Sequence, residues 1–245
     1  MSLESFGGDA DVGFDEKGAA GCVCAREGNI FVESCKLTSD AGSGIVATTS
    51  CDMLRVSKSE IGPCGRHGVV LAGVTKDSGS SFESPLFRMG GLGLGSMLKE
   101  MERQKRGQGN RYVSGGKGVL SELKISGCKI GVAVNEEGDL AMTKCVVTGC
   151  KNGLFSHPAK ALKVRASSFD DCDTAITSQR SEAHDSTDTF NVECQECSIK
   201  NCKLGLKVSS ETRDPVWIHW DLSNTMERCR NKTEKSGAGY IKTDG

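Results

Sequence analysis

An all-β fold assembled by repetition, a solenoid of short parallel strands, is what the sequence predicts. Three observations carry the prediction: eight of 13 cysteines recur at set distances from a glycine position, aromatic residues make up only 5%, and 31 glycines accompany 4 prolines. That composition excludes a core built from bulky rings. Thin layers filled by small aliphatic side chains fit it.

The repeat comes first. The segments 123–134, 145–156, 167–178 and 197–208 align without gaps. Gly131 and Gly153 are 22 residues apart, as are Gly153 and Ala175, while Ala175 to Gly205 is 30, one period plus 8. Two earlier copies, ending at Gly44-Ile45 and Gly68-Val69, carry one extra turn residue. Gly21-Cys22-Val23-Cys24 matches the last third of a further copy.

Each copy divides into three strand-like pieces. The first alternates, as in Leu140-Ala141-Met142 and Leu162-Lys163-Val164. The second holds one inward residue: Leu37, Ile61, Ile125, Val147, Phe169 or Ile199. The third follows the glycine with Ile45, Val69, Val132, Leu154, Ile176 or Leu206. Alternation of this kind means a strand with one buried face, and the glycines and polar pairs between pieces are turn chemistry. So small a unit cannot bury its inward side chains alone; it stacks on its copies. Like residues then pile above like, about 4.8 Å apart, in three parallel sheets. Cys64, Cys128, Cys150, Cys172 and Cys202 form one column, and Cys35, Cys145 and Cys197, with Ser59 and Ser167, form a second. In-register side chains point the same way, so these thiols are expected to be reduced, packed and structural.

The rhythm Leu-x-Val-x-x-Cys-x-Ile-x-x-Cys-x-x-Gly-Ile-x-Val, over roughly residues 21–208, resembles the right-handed parallel β-helix repeat of the pectin-lyase-like superfamily. The resemblance implies a right-handed parallel β-helix of about six to seven coils. It is specific for fold and unspecific for function. Members include polysaccharide lyases, hydrolases and epimerases, phage tailspikes, and non-enzymatic intracellular forms in F-box proteins and a mitotic adaptor-binding protein. Cysteine columns, where secreted members often stack asparagine, make this chain similar to the intracellular group.

Residues 1–20 are read as an N-terminal tail or cap, and 21–245 as the β-helix with a degenerate C-terminal cap over 209–245. In that cap Val216-Trp217-Ile218-His219-Trp220 reads as a strand and Gly239-Tyr240-Ile241 as a last third strand. Open ends allow end-to-end self-association. Three insertions, within 74–116, 179–188 and 209–215, all follow a third strand, so they project from one side. In the longest, Ser96 caps a short helix with Met97, Leu98 and Met101 on its apolar side and Lys99, Arg103, Lys105 and Arg106 as a basic patch. These seven are the candidate partner-binding residues, for a protein partner with an acidic surface. The glycines of 90–95 follow neither phosphate-loop spacing.

Lyases of the resembling superfamily use aspartate clusters with a Lys or Arg base, and hydrolases use paired carboxylates. The candidates here are Asp170, Asp171 and Asp173 with Arg165, but adjacent copies place Gly149 and Lys151 at the matching positions, so no column of acids builds. The four histidines fall at different phases. Only Cys194/Cys197 has CxxC spacing, without a second pair, so neither metal nor cofactor is expected. Lys plus Arg (31) against Asp plus Glu (32) argues against a nucleic-acid partner, and no apolar run is long enough for a membrane span. The opening residues carry acids and glycines where an export signal needs a basic then an apolar stretch. A reducing, cytoplasmic location is therefore expected. Two functions stand open: a non-catalytic interaction or structural scaffold within a larger intracellular assembly, and a carbohydrate-active enzyme.

Overall fold

The computed structural model describes residues 2–5, 22–25, 28–47, 51–71, 117–134, 138–157, 161–180, 190–213 and 215–243. Among them the chain is strand and turn throughout, with no helix. The first strands of the coils are Gly28–Glu33, Cys51–Ser57, Lys117–Ser121, Asp139–Thr143, Ala161–Arg165, Phe190–Gln195, Val216–Trp220 and Gly239–Lys242. They pair in chain order, each parallel to the next. The second strands stack in the same way through Lys36–Ser39, Lys124–Ser126, Val146–Thr148, Ser168–Asp170, Ser198–Lys200 and Thr225–Glu227. The third strands do so through Val23–Ala25, Ile45–Ala47, Cys128–Val134, Asn152–Ser156, Thr174–Arg180, Leu204–Ser210 and Asn231–Gly237. Glu60–Leu71 belongs to both of these rows. The fold is an all-β parallel β-helix, as the repeat implied, and Ser2–Ser5 adds a strand beside Lys36–Ser39 before its first full coil.

Two sheets are present where three were expected, because Glu60–Leu71 runs unbroken through the corner between second and third rows and joins them. The extra residue noted in this copy emerges as a register shift between Cys128 and Ile130 against Cys64 and His67.

The inward columns are those the repeat names. Leu37, Ile61, Ile125, Val147, Phe169 and Ile199 lie one above another, as do Ile45, Val69, Val132, Leu154, Ile176 and Leu206, and all are buried. With Leu54, Leu120, Leu140, Met142, Leu162 and Val164 from the first row they form one continuous core. Burying a Leu, Ile, Val or Phe side chain contributes about 1.5–3 kcal/mol, and here every layer adds the same set.

The corners repeat as closely as the strands. Between first and second strands stands a left-handed residue (Ser34, Lys58, Glu122, Lys144, Ala166 or Glu196), followed by a column residue: Cys35, Ser59, Leu123, Cys145, Ser167 or Cys197. Between second and third strands Gly127, Gly149, Asp171, Asn201 and Arg228 take the same conformation before Cys128, Cys150, Cys172, Cys202 and Cys229. Left-handed backbone costs a non-glycine residue roughly 1–2 kcal/mol. The next coil offsets that cost: Glu122 N–H donates to Thr143 O at 3.0 Å and Lys144 N–H to Arg165 O at 3.0 Å.

The C-terminal end departs from expectation. Gly239–Lys242 is a first strand, paired with Val216–Trp220, and the last third strand is Asn231–Gly237. Its inward positions have become polar, Thr233 beside Leu206 and Lys235 beside Val208, and the whole strand is exposed. Without apolar residues at the inward phase the repeat was not visible there.

Candidate functional site

The coil-to-coil register decides which candidate side chains meet. Asp170 ends a second strand and accepts a hydrogen bond from Asn201 Nδ2 at 2.7 Å. Asp171 is the left-handed corner residue. Asp173 follows Cys172 and pairs with Lys203 Nζ at 2.6 Å. Arg165 stands on a different face, the outside of the first row, where it lines a shallow groove of about 260 Å³ with Lys163, Glu193, Gln195, His219 and Asp221. None of the three aspartates lines that groove. The structure therefore gives the trio one neighbouring amide and one lysine, and separates it from the arginine that was to serve it.

The groove was not singled out from the sequence, although its members follow from outward alternation. Lys163 lies beside Glu193, and Glu193 beside His219, on consecutive first strands. Lys163 Nζ reaches Glu193 Oε2 at 4.0 Å with both side chains more than half exposed, a pairing that contributes little. Asp221 is held below the usual carboxylate range by hydrogen bonds from Ser223, whose N–H reaches Oδ1 at 2.8 Å. At the groove's C-terminal side Trp217 stacks on Tyr240, centroids 4.6 Å apart and planes 22° apart. Trp220 takes the opposite phase and packs against the core. One tryptophan closes the core, and the other stands on the outer face.

The thiols fill the corners. Cys145 Sγ donates to Thr143 O at 3.4 Å and Cys128 Sγ to Ser126 O at 3.3 Å, each reaching two residues back around its bend. Serine makes the same bond in the second column, Ser167 Oγ to Arg165 O at 2.8 Å, and also accepts Cys145 N–H at 3.1 Å. Asn224 ends that column: its Oδ1 accepts Cys197 N–H at 2.6 Å and its Nδ2 donates to Cys194 O at 2.8 Å. Cys229, unnoticed in the sequence, extends the first column by the same bond, to Glu227 O at 3.5 Å. Burial pushes the Cys145 thiol up to about 11. Within the longer column Cys128 and Cys172 are held up, first by hydrogen bonding to Cys150 between them, so a proton stays on each. Every cysteine whose side chain is described is free, and no group of three or more metal-ligating side chains gathers among the described residues.

Corner lengths divide the molecule unequally. The step from first to second strand is the same two-residue bend in six coils, from Ser34-Cys35 to Glu196-Cys197. The two longest connections instead lie between a third strand and the next first strand, Leu71 to Lys117 and Arg180 to Phe190, while Ser210 to Val216 at the same corner is no longer than Ser39 to Ile45 between a second and a third strand. Met97, Leu98, Lys99, Met101, Arg103, Lys105 and Arg106 fall in the longest of these, outside the described residues. No protein-family model matches the chain, and no curated protein is similar to it.

Proposed function

We propose that this protein is a non-catalytic interaction scaffold, a rigid β-helix that offers one variable edge to a protein partner within a larger intracellular assembly. The observation that carries the reading is the inequality of its corners. The first-to-second bend is constant through six coils, while the third-to-first corner carries the two longest connections, and loops carried on a rigid frame are where recognition concentrates. Met97, Leu98, Lys99, Met101, Arg103, Lys105 and Arg106 are the residues assigned to the partner, whose surface is acidic. The resemblance to the pectin-lyase-like repeat, and within it to the non-enzymatic intracellular forms, agrees with columns of free thiols in place of acids. Replacing 74–116 by a short Gly-Ser linker is expected to abolish capture of the native partner from cell extract while β-rich circular dichroism persists. Undiminished capture overturns the proposal.

A second reading, a carbohydrate-active enzyme, draws on one observation: the Trp217–Tyr240 stack beside the groove of Arg165, Glu193 and His219, since sugars rest on aromatic faces. Its test is polyuronate cleavage measured before and after Asp170→Asn, Asp171→Asn, Asp173→Asn and Arg165→Ala. Cleavage lost in any of these variants would favour the enzyme over the scaffold.

A further inference from the structure

The two ends of the winding have complementary shapes. Strands follow one another in the order first row, second row, third row, and the described strands open on the second row, with Ser2–Ser5, and close on the first, with Gly239–Lys242. At the N-terminal end the second and third rows reach one strand beyond the first, through Ser2–Ser5 and Val23–Ala25, and the outermost first strand is Gly28–Glu33. At the C-terminal end the first row instead reaches one strand beyond the other two. A step at one end thus matches a notch at the other. Neither outermost first strand carries a further partner strand among the described residues, so a row of backbone N–H and C=O groups faces outward from each. The core column behind them is uncovered at the same two places. Leu54, Leu140, Leu162, Val192 and Ile218 are at most 2% exposed, whereas Ile30 at one end of the column and Ile241 at the other are only partly buried.

We propose that this chain stacks head to tail on a second copy of itself, the Gly239–Lys242 strand of one molecule entering the notch beside Gly28–Glu33 of the next, so that the β-helix continues across the junction. The register of the first row carries over without adjustment. Extended by one coil spacing, about 4.8 Å, the inward column sets Ile241 beside Ile30 of the second copy and closes the core. The neighbouring outward column begins at Phe31 and ends at Lys242. Phe31 is 65% exposed, with the Arg55 guanidinium 6.0 Å from its ring centroid. Lys242 of the adjoining molecule takes the corresponding place on the other side of that ring, a second cation–π contact. The third row contributes less, because Thr233 and Lys235 hold the inward positions that meet Val23–Ala25. That keeps the junction weak and reversible. A contact between unlike ends does not close on itself, so it generates an open series of oligomers in place of a dimer. The stacking goes beyond the scaffold reading and is independent of the partner taken at the scaffold's edge.

The test is sedimentation velocity on the full chain. Between about 1 and 100 µM, where so small an interface dissociates, the parent is expected to progress from monomer through dimer to larger species. Phe31→Lys sets two cations against each other at the junction, and Lys242→Glu removes the cation beside the ring. Each is expected to weaken association by about tenfold. Both side chains are exposed, so far-UV circular dichroism is expected to stay constant in both variants. The two changes combined in one chain are expected to restore association, because head-to-tail packing brings the new charges face to face. A parent that stays monomeric over that range, a series that stops at the dimer, or a combined variant as weak as either single one overturns the stacking. Partner capture from cell extract scores the scaffold reading separately, and its loss leaves the stacking untouched.

Discussion

Ser167 and Cys145 illustrate how much a single corner residue must satisfy. The Ser167 hydroxyl both donates to Arg165 O and accepts the N–H of Cys145 in the preceding coil. Ser167→Ala leaves that buried N–H without its acceptor, an expected loss of about 1–3 kcal/mol in urea unfolding. An unchanged midpoint would deny the hydroxyl its bridging role. Cys145 itself gives a pH signature. Burial raises its folded pKa from 9.0 to about 11, so below pH 9 both states hold the proton and the stabilisation is complete. Between pH 9 and 11 the unfolded thiol ionises first, and stability falls by about 1.4 kcal/mol per unit. Denaturant titrations of the parent and of Cys145→Ser at pH 8.5, 9.5 and 10.5 are expected to diverge, the parent falling more steeply. Parallel lines would mean the thiol is not buried.

At the scale of a strand, what the sequence reveals depends on which phase is apolar. The second and third rows were legible residue by residue, because each copy keeps one large apolar side chain inward and a glycine, or Ala175 in one copy, just before the next inward residue. At Gly131 close approach excludes a side chain: a Cβ there would stand 2.6 Å from Gly153 O and 2.7 Å from Val147 Cγ1. The last third strand, Asn231–Gly237, was not legible, since Thr233 and Lys235 occupy the inward positions. Gly239–Lys242, apolar at Ile241, was read as that strand in its place. The groove was missed for a related reason. Outward residues are free to vary, and Lys163, Glu193 and His219 become neighbours only once the coils are in register. The substitution that hid the strand also guards it, because an inward charge on an edge strand discourages another strand from adding there. The double variant Thr233→Val, Lys235→Val restores the aliphatic column and is expected to shift the protein toward end-to-end oligomers in sedimentation velocity. Sedimentation identical to the parent would remove that guarding role.

On the scale of the whole molecule, each coil touches chiefly the coil before and the coil after, and charged pairs follow the same rule. Lys58–Glu33, Lys124–Glu60, Lys200–Glu227 and Lys207–Glu234 all bridge adjacent coils at 2.8–3.4 Å. Stability is then a sum of layers and of the contacts between them. This architecture also governs how the protein bears load. Pulled by its two ends, it has no single fastening whose rupture frees the rest, so the outermost turn peels away while those beneath stay wound. Each 22-residue turn released should lengthen the tether by about 7 nm, and a force trace recorded on one molecule should climb and drop in a train of near-equal teeth.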